Sequence, residues 1–201
     1  MKLLWLSLVL FISCLAQANE ASKKLVIIGD SLTEGYGVEK SQAFPAQLEK
    51  ILNKNKLNYQ VINGGVSGST TSSGMSRLKW FLKAKPDLII LALGANDGLR
   101  GIKVEKSQKN LEDFISKCQK ENIPVILAGM QLPPNYGKEY TSSFKKMFQE
   151  VAKKYKVPQI PFLIEGVAGK PELNIEDGIH PNPKGHIIIA QNVFLHIKDY
   201  L

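Results

Sequence analysis

Five residues in this chain, far apart in sequence, are of the types that acyl transfer requires. Ser31 follows the run Leu25-Val26-Ile27-Ile28-Gly29-Asp30. A serine where a buried parallel strand ends stands at the mouth of the crevice in which open α/β sheets bind ligands. The backbone N–H groups that follow it suit a developing negative charge. A serine hydroxyl becomes a nucleophile only when a base takes its proton and an acid orients that base. His180 suits the base role, because imidazole titrates near working pH. Asp177 precedes it in Asp177-Gly178-Ile179-His180-Pro181, so that one turn presents both side chains. Oxyanion stabilisation needs donors aimed at one point. The amides of Ser31 and Gly68 and the side-chain amide of Asn96 supply three candidates.

Each of these pieces also has a plainer reading. Asp30-Ser31 suits the cap of a first helix, and Asn96-Asp97 a turn or a cap. Gly68 lies in a loop of small residues, Val66-Ser67-Gly68-Ser69-Thr70. Asp177 and His180 read equally as an isolated surface contact or half of a metal site, but no further His or Cys lies in their turn. His186 and His196 fall on the last helix and read as packing or surface residues. The plain readings weaken when taken together, since all four sites fall, in order, in loops that follow strands 1, 2, 3 and 5 at one edge of the sheet.

The elements that must position these residues follow from periodicity. Short apolar runs predict strands at 25–28, 59–66, 87–93, 124–129 and 157–162. Apolar residues at helical spacing predict helices over 44–53, 75–83, 104–122, 138–155 and 183–198, with loops at 67–73, 94–101, 131–137 and 163–182 between them. Strand and helix alternate five times, which with right-handed crossovers gives one parallel sheet covered on both faces. The expected fold is a three-layer α/β/α domain with a five-stranded parallel sheet in the flavodoxin-like order 2-1-3-4-5. No linker, repeat or low-complexity stretch divides it.

Residues 1–18 read as a signal peptide, leaving a single domain over 19–201. Lys2 is followed by the apolar run Leu3–Leu15, and Ala16-Gln17-Ala18 matches a signal-peptidase site. The run is too short for a comfortable transmembrane span. A periplasmic or secreted protein cleaved after Ala18 is expected. The competing reading makes Cys14 a lipidated first residue, although Phe11 fits a lipobox poorly. Cys118 then remains as the single thiol, in a helical setting that suggests packing. The formal charge is +8 and the pI near 9.4, with 44% hydrophobic and 22% charged residues. Those figures describe an ordinary globular protein with a lysine-rich surface, open to transient contact with an anionic membrane surface. No basic run with interleaved aromatics suggests nucleic-acid binding. A monomer is expected.

The four blocks carry a family resemblance. Gly29-Asp30-Ser31-Leu32 matches the GDSL signature, and Ser31, Gly68, Asn96 and His180 correspond to the residues for which the SGNH hydrolases are named. The stretches 94–101 (GANDGLRG), 132–137 (LPPNYG) and 177–182 (DGIHPN) resemble most closely the branch of bacterial thioesterases, lysophospholipases and arylesterases. The resemblance implies Ser31 as nucleophile, His180 as general base and acid, Asp177 as its orienting partner, and no cofactor or metal. It implies an acyl channel lined by the loop after strand 4, with Leu132, Pro133 and Tyr136 as substrate-binding residues. In that loop Pro133-Pro134 reads equally as the stop to strand 4. The implied substrates are small acyl esters, thioesters or lysophospholipids. Two alternatives stand beside this reading. One is a carbohydrate O-acetylesterase on the same fold. The other is a non-catalytic binding or signalling module, such as a phosphoacceptor built on Asp30 and Asp97. A phosphoacceptor domain needs a lysine after strand 5, where this chain has Pro161-Phe162. A phosphate-binding loop is excluded, because no lysine follows the 68–74 glycine loop.

Overall fold

A computed structural model describes residues 22–201. The leader expected over residues 1–18, and Cys14 with it, lies outside the described residues. Five parallel strands run β1 (Lys23–Gly29), β2 (Tyr59–Gly65), β3 (Leu88–Ala92), β4 (Val125–Ala128) and β5 (Gln159–Ile160). They pair in the expected order 2-1-3-4-5. Leu25 to Ile28 and Leu88 to Leu91 are almost wholly buried, because helices cover both faces of the central strands. Helices α2 (Phe44–Lys54) and α7 (Pro183–Ile197) pack on each other, while α3 (Gly74–Phe81), α5 (Val104–Lys120) and α6 (Lys138–Tyr155) form the other layer.

Two short helices stand outside the helices that periodicity predicts. Helix α1 (Ser31–Glu34) starts at the serine itself, with the Asp30 carboxylate accepting from the Leu32 amide at 3.1 Å. The capping reading of Asp30 is therefore correct, and compatible with an exposed role for Ser31. Helix α4 (Ala95–Leu99) places Asn96 and Asp97 in its first turn. Both helices are single turns, too short for apolar periodicity to announce. The fifth strand shrinks from the expected six residues to two. Pro158 and Pro161 flank it and lack the N–H that a ladder needs. Its pairing survives through Leu127 N–H to Pro158 O at 3.0 Å and Gly129 N–H to Ile160 O at 2.8 Å.

The packed core settles the singletons. Cys118 is fully buried, and burial pushes its thiol up to about 12. His186 is fully buried and stacks on Phe44, whose amide donates to its Nδ1 at 3.2 Å, whereas His196 is exposed. Strand β2 forms one edge of the sheet. There Glu49 Oε2 accepts from the Val61 amide at 2.7 Å, and Asn63 Oδ1 from the Gly65 amide at 2.9 Å.

Register brings the strand ends level. Gly29 pairs with Gly65 on one side and with Ala92 on the other. The three loops that carry Ser31, Gly68 and Asn96 thus leave the sheet at one height. Helix α1 lies so close to β2 that a Cβ on Gly65 would come within 2.0 Å of the Glu34 nitrogen and 2.6 Å of the Thr33 carbonyl carbon. Gly65→Ala should therefore displace α1 and lower the unfolding free energy by about 2–3 kcal/mol, a typical overpacking penalty. Gly101→Ala, at φ +63° with open space around it, should cost only about 1 kcal/mol. Urea unfolding of the two variants checks the difference, and equal losses would refute the close packing of α1.

Candidate active site

The three residues expected to work together do meet. His180 Nε2 lies 2.9 Å from Ser31 Oγ, and His180 Nδ1 lies 2.6 Å from Asp177 Oδ2. The turn that carries them is held from within. Asp177 Oδ1 accepts from the Ile179 and His180 amides, each at 3.0 Å. The positive φ of Gly178 (+73°) lets the chain reverse between them. Outside the turn, the Ile175 amide donates to the His180 carbonyl at 2.8 Å, and Asn182 caps α7 immediately beyond. Burial works to raise the Asp177 carboxyl. The His180 ring and the two amides outweigh it and hold Asp177 below the ordinary carboxylate range. An ionised carboxylate on Nδ1 leaves Nε2 as an acceptor facing the hydroxyl. The ring is further steadied by Tyr36, whose centroid lies 4.7 Å away.

The oxyanion candidates come from two loops that are joined to each other. Asn96 Nδ2 donates one hydrogen to the Ser69 carbonyl at 3.0 Å, and its second hydrogen remains available. Gly68 adopts φ +75°, a conformation that favours glycine. The amides of Ser31 and Gly68 have no acceptor among the described residues. Asp97 is not poised as a phosphoacceptor. It is buried, with Oδ2 on the Thr71 amide at 2.8 Å and Oδ1 on the hydroxyls of Thr71 (2.6 Å) and Ser107 (2.8 Å). It ties α4 to the loop after β2 and to α5. Among the described residues, no group of three His, Cys, Asp or Glu side chains is arranged to hold a metal ion.

Beside Ser31 and His180 opens a cavity of about 470 Å³. Its walls are mostly apolar, including Leu32, Leu99, Met130, Phe162, Ile164 and Ile179, and Asn96 reaches it too. Of the loop residues expected to bind substrate, Leu132 and Pro133 line this cavity, and so does Pro134. Tyr136 is not part of the wall. Its hydroxyl donates to the Leu99 carbonyl at 3.2 Å, so it fastens the 131–137 loop to α4. Phe162, Ile164 and Ile179 come from segments read only as loop or strand end. Nothing in their spacing marks them, because a cavity wall assembled from several loops has no period.

A parallel α/β sheet whose carboxyl edge presents a Ser–His–Asp chain beside an apolar cavity belongs with the hydrolases that act on acyl groups. The chain is a member of the GDSL-like lipase/acylhydrolase family, whose family model matches residues 27–188, and is an ester hydrolase. It is 39% identical over 197 residues to an arylesterase of Vibrio mimicus, covering 98% of both chains. It is 36% identical over 182 residues to thioesterase 1/protease 1/lysophospholipase L1 of Escherichia coli, covering 90% of this chain and 86% of that one. The crystal structure of TesA superposes with a TM-score of 0.86 at 37% identity, over 89% of this chain and all of the other.

Two buried titratable groups near the site oppose each other in acid. Burial raises the Asp30 carboxyl to about 6, against the Leu32 amide and its own amide and the charges of His180 and Arg77. Burial, with the charge of His180, lowers the His186 imidazole to about 4. As pH falls from about 6 to 3.8, native Asp30 takes up a proton before the unfolded chain does, which favours folding. As pH falls from 6.5 to about 4, the unfolded chain protonates His186 first, which disfavours folding. Each effect is on the order of 3 kcal/mol when complete. Asp30→Asn removes only the favourable one, so its thermal midpoint should drop more steeply than that of the parent between pH 6.5 and 4.5. Parallel pH slopes for the two proteins would overturn this account.

Proposed function

We propose that the protein hydrolyses single-chain acyl esters and thioesters, lysophospholipids among them, through an acyl-enzyme on Ser31. The observation that carries this reading is the 2.9 Å contact between His180 Nε2 and Ser31 Oγ, extended by the 2.6 Å contact to Asp177. The names of the relatives support it, since one is an arylesterase and another a thioesterase and lysophospholipase.

The steps follow from the geometry. Ser31 Oγ attacks the substrate carbonyl carbon while its proton passes to His180 Nε2, and Asp177 stabilises the imidazolium that forms. The carbonyl oxygen takes up negative charge, which the Ser31 and Gly68 amides and Asn96 Nδ2 receive. The tetrahedral adduct collapses, His180 returns its proton to the departing alkoxide or thiolate, and the acyl group stays on Ser31. Water then repeats the sequence with His180 as base, releasing the carboxylic acid. The acyl chain lies along the apolar wall near Leu132 and Pro133, where burial of each methylene is worth about 0.8 kcal/mol. The same reading makes the protein an exported enzyme, on the strength of Lys2, the apolar run and Ala16-Gln17-Ala18.

Ser31→Ala should lower hydrolysis of a p-nitrophenyl ester by about 10⁴–10⁶-fold, and a fluorophosphonate should label only the parent. Retained activity in the variant would end the proposal. Across straight-chain p-nitrophenyl esters, kcat/KM should climb about fourfold per added methylene until the cavity is filled. A series that peaks at acetyl would point instead to deacetylation of carbohydrates.

A further inference from the structure

Of the 26 basic residues in this chain, all but two are lysines; the exceptions are Arg77 and Arg100. Both guanidinium groups close on the same short loop. Arg77, on α3, donates through Nη1 to the Gly29 carbonyl at 2.6 Å and to Ser69 Oγ at 3.3 Å. Arg100, at the end of α4, donates through Nη2 to the Gly68 carbonyl at 3.0 Å. Asn96 Nδ2 takes the Ser69 carbonyl, and Glu34 Oε2 takes the Ser67 amide at 2.7 Å and the Ser67 hydroxyl. Every residue from Ser67 to Ser69 is thus gripped by a charged or amide side chain from another element.

Arginine and lysine present their donors differently at these two places. A guanidinium directs several N–H groups along fixed lines, whereas an ammonium is a hydrated point charge on a flexible stem. Arg77 makes both of its bonds through one arm of that fork, Nη1. One nitrogen joins the end of β1, two residues before Ser31, to the residue after Gly68. Its other terminal nitrogen, Nη2, is buried with no partner, as is Asp30 Oδ2. A cation so enclosed is costly to hold unless its geometry is used. Tyr136 braces the Arg100 end of α4 through the Leu99 carbonyl, so that the anchor for Gly68 is itself fixed.

We propose that Arg77 and Arg100 are positioning residues that set the Gly68 amide against Ser31, so that the tetrahedral oxyanion, and not the ground-state ester, feels their loss. This inference rests on the acyl-enzyme reading above. Neither arginine lines the cavity that takes the acyl chain. Binding of substrate and stabilisation of the adduct therefore separate.

The test is steady-state kinetics on p-nitrophenyl octanoate for Arg77→Lys and Arg100→Lys, with Lys103→Met as a control outside the loop. Octylboronic acid, which forms a tetrahedral adduct on the serine, and octanoate, a planar carboxylate that forms none, serve as paired inhibitors. Arg77→Lys should lower kcat about 100-fold, the loss typical of one oxyanion donor, and Arg100→Lys should lower it about tenfold. KM and octanoate inhibition should stay within about twofold of the parent. Boronate affinity should weaken in step with kcat/KM, and the control should match the parent throughout. Full kcat in both arginine variants, or equal weakening of boronate and octanoate, would overturn the inference. Ser31→Ala, run alongside, separates this result from failure of the acyl-enzyme reading, since only that reading requires Ser31→Ala to be inactive. If Arg77→Lys does not fold, the exposed Arg100 still decides the question.

Discussion

The structure depends on three strand ends standing level. Gly29 faces Gly65 across one ladder and Ala92 across the other, so three loops with unrelated sequences begin from a common line. The residues at that line are glycine and alanine for a physical reason. Helix α1 must turn away at once over β2, and any larger side chain at Gly65 would strike its backbone. The opening of Ser31 onto the cavity follows from that turn, because Asp30 caps α1 and leaves Ser31 as its first residue. His180 needs no part of this ladder. It arrives from the far end of the chain in a turn whose shape Asp177 fixes twice, through the imidazole and through two backbone amides.

Around that line the molecule buries polar groups more freely than its core would suggest. Asp30, Asp97 and His186 are all nearly inaccessible, yet they serve different ends. Asp97 is saturated by the Thr71 amide and two hydroxyls and acts as a knot between three segments. Full satisfaction makes such a network rigid and specific. Asp30 keeps one carboxylate oxygen without a partner beside the arginine that grips the neighbouring loop. Asp97 thus ties three segments together, whereas Asp30 caps α1 with one oxygen and leaves the other buried without a partner.

Much of this was legible in the sequence. Apolar runs and their alternation with helices gave the five parallel strands, because a buried strand has a composition that burial enforces, and their order is a common one for such a sheet. Ser31, Asp177 and His180 stood out because their chemistry demands those residue types. The contributions of Arg77, Arg100, Glu34 and Tyr36 were not legible. Each acts through a tertiary contact with a residue more than twenty positions away, and each is of a type common on surfaces. Tyr136 illustrates the limit from the other side. The family resemblance implied contact with substrate, and its hydroxyl bonds the Leu99 carbonyl. The single-turn helices α1 and α4 escaped for lack of length, and the short β5 because its prolines are apolar but cannot join a ladder.

The outer rim of β2 carries a consequence for how the protein behaves in a crowd. A strand bordering solvent invites another polypeptide to zip onto its free amides, the first step toward runaway association. Here Glu49 and Asn63 already occupy two of those donors with their own side chains. An incoming chain would have to evict a carboxylate before it found a register. At the opposite border the ladder is two residues long and closed by prolines. Sheet growth is thus terminated at both margins, which lets one catalytic rim stay open to solvent without making the whole molecule adhesive.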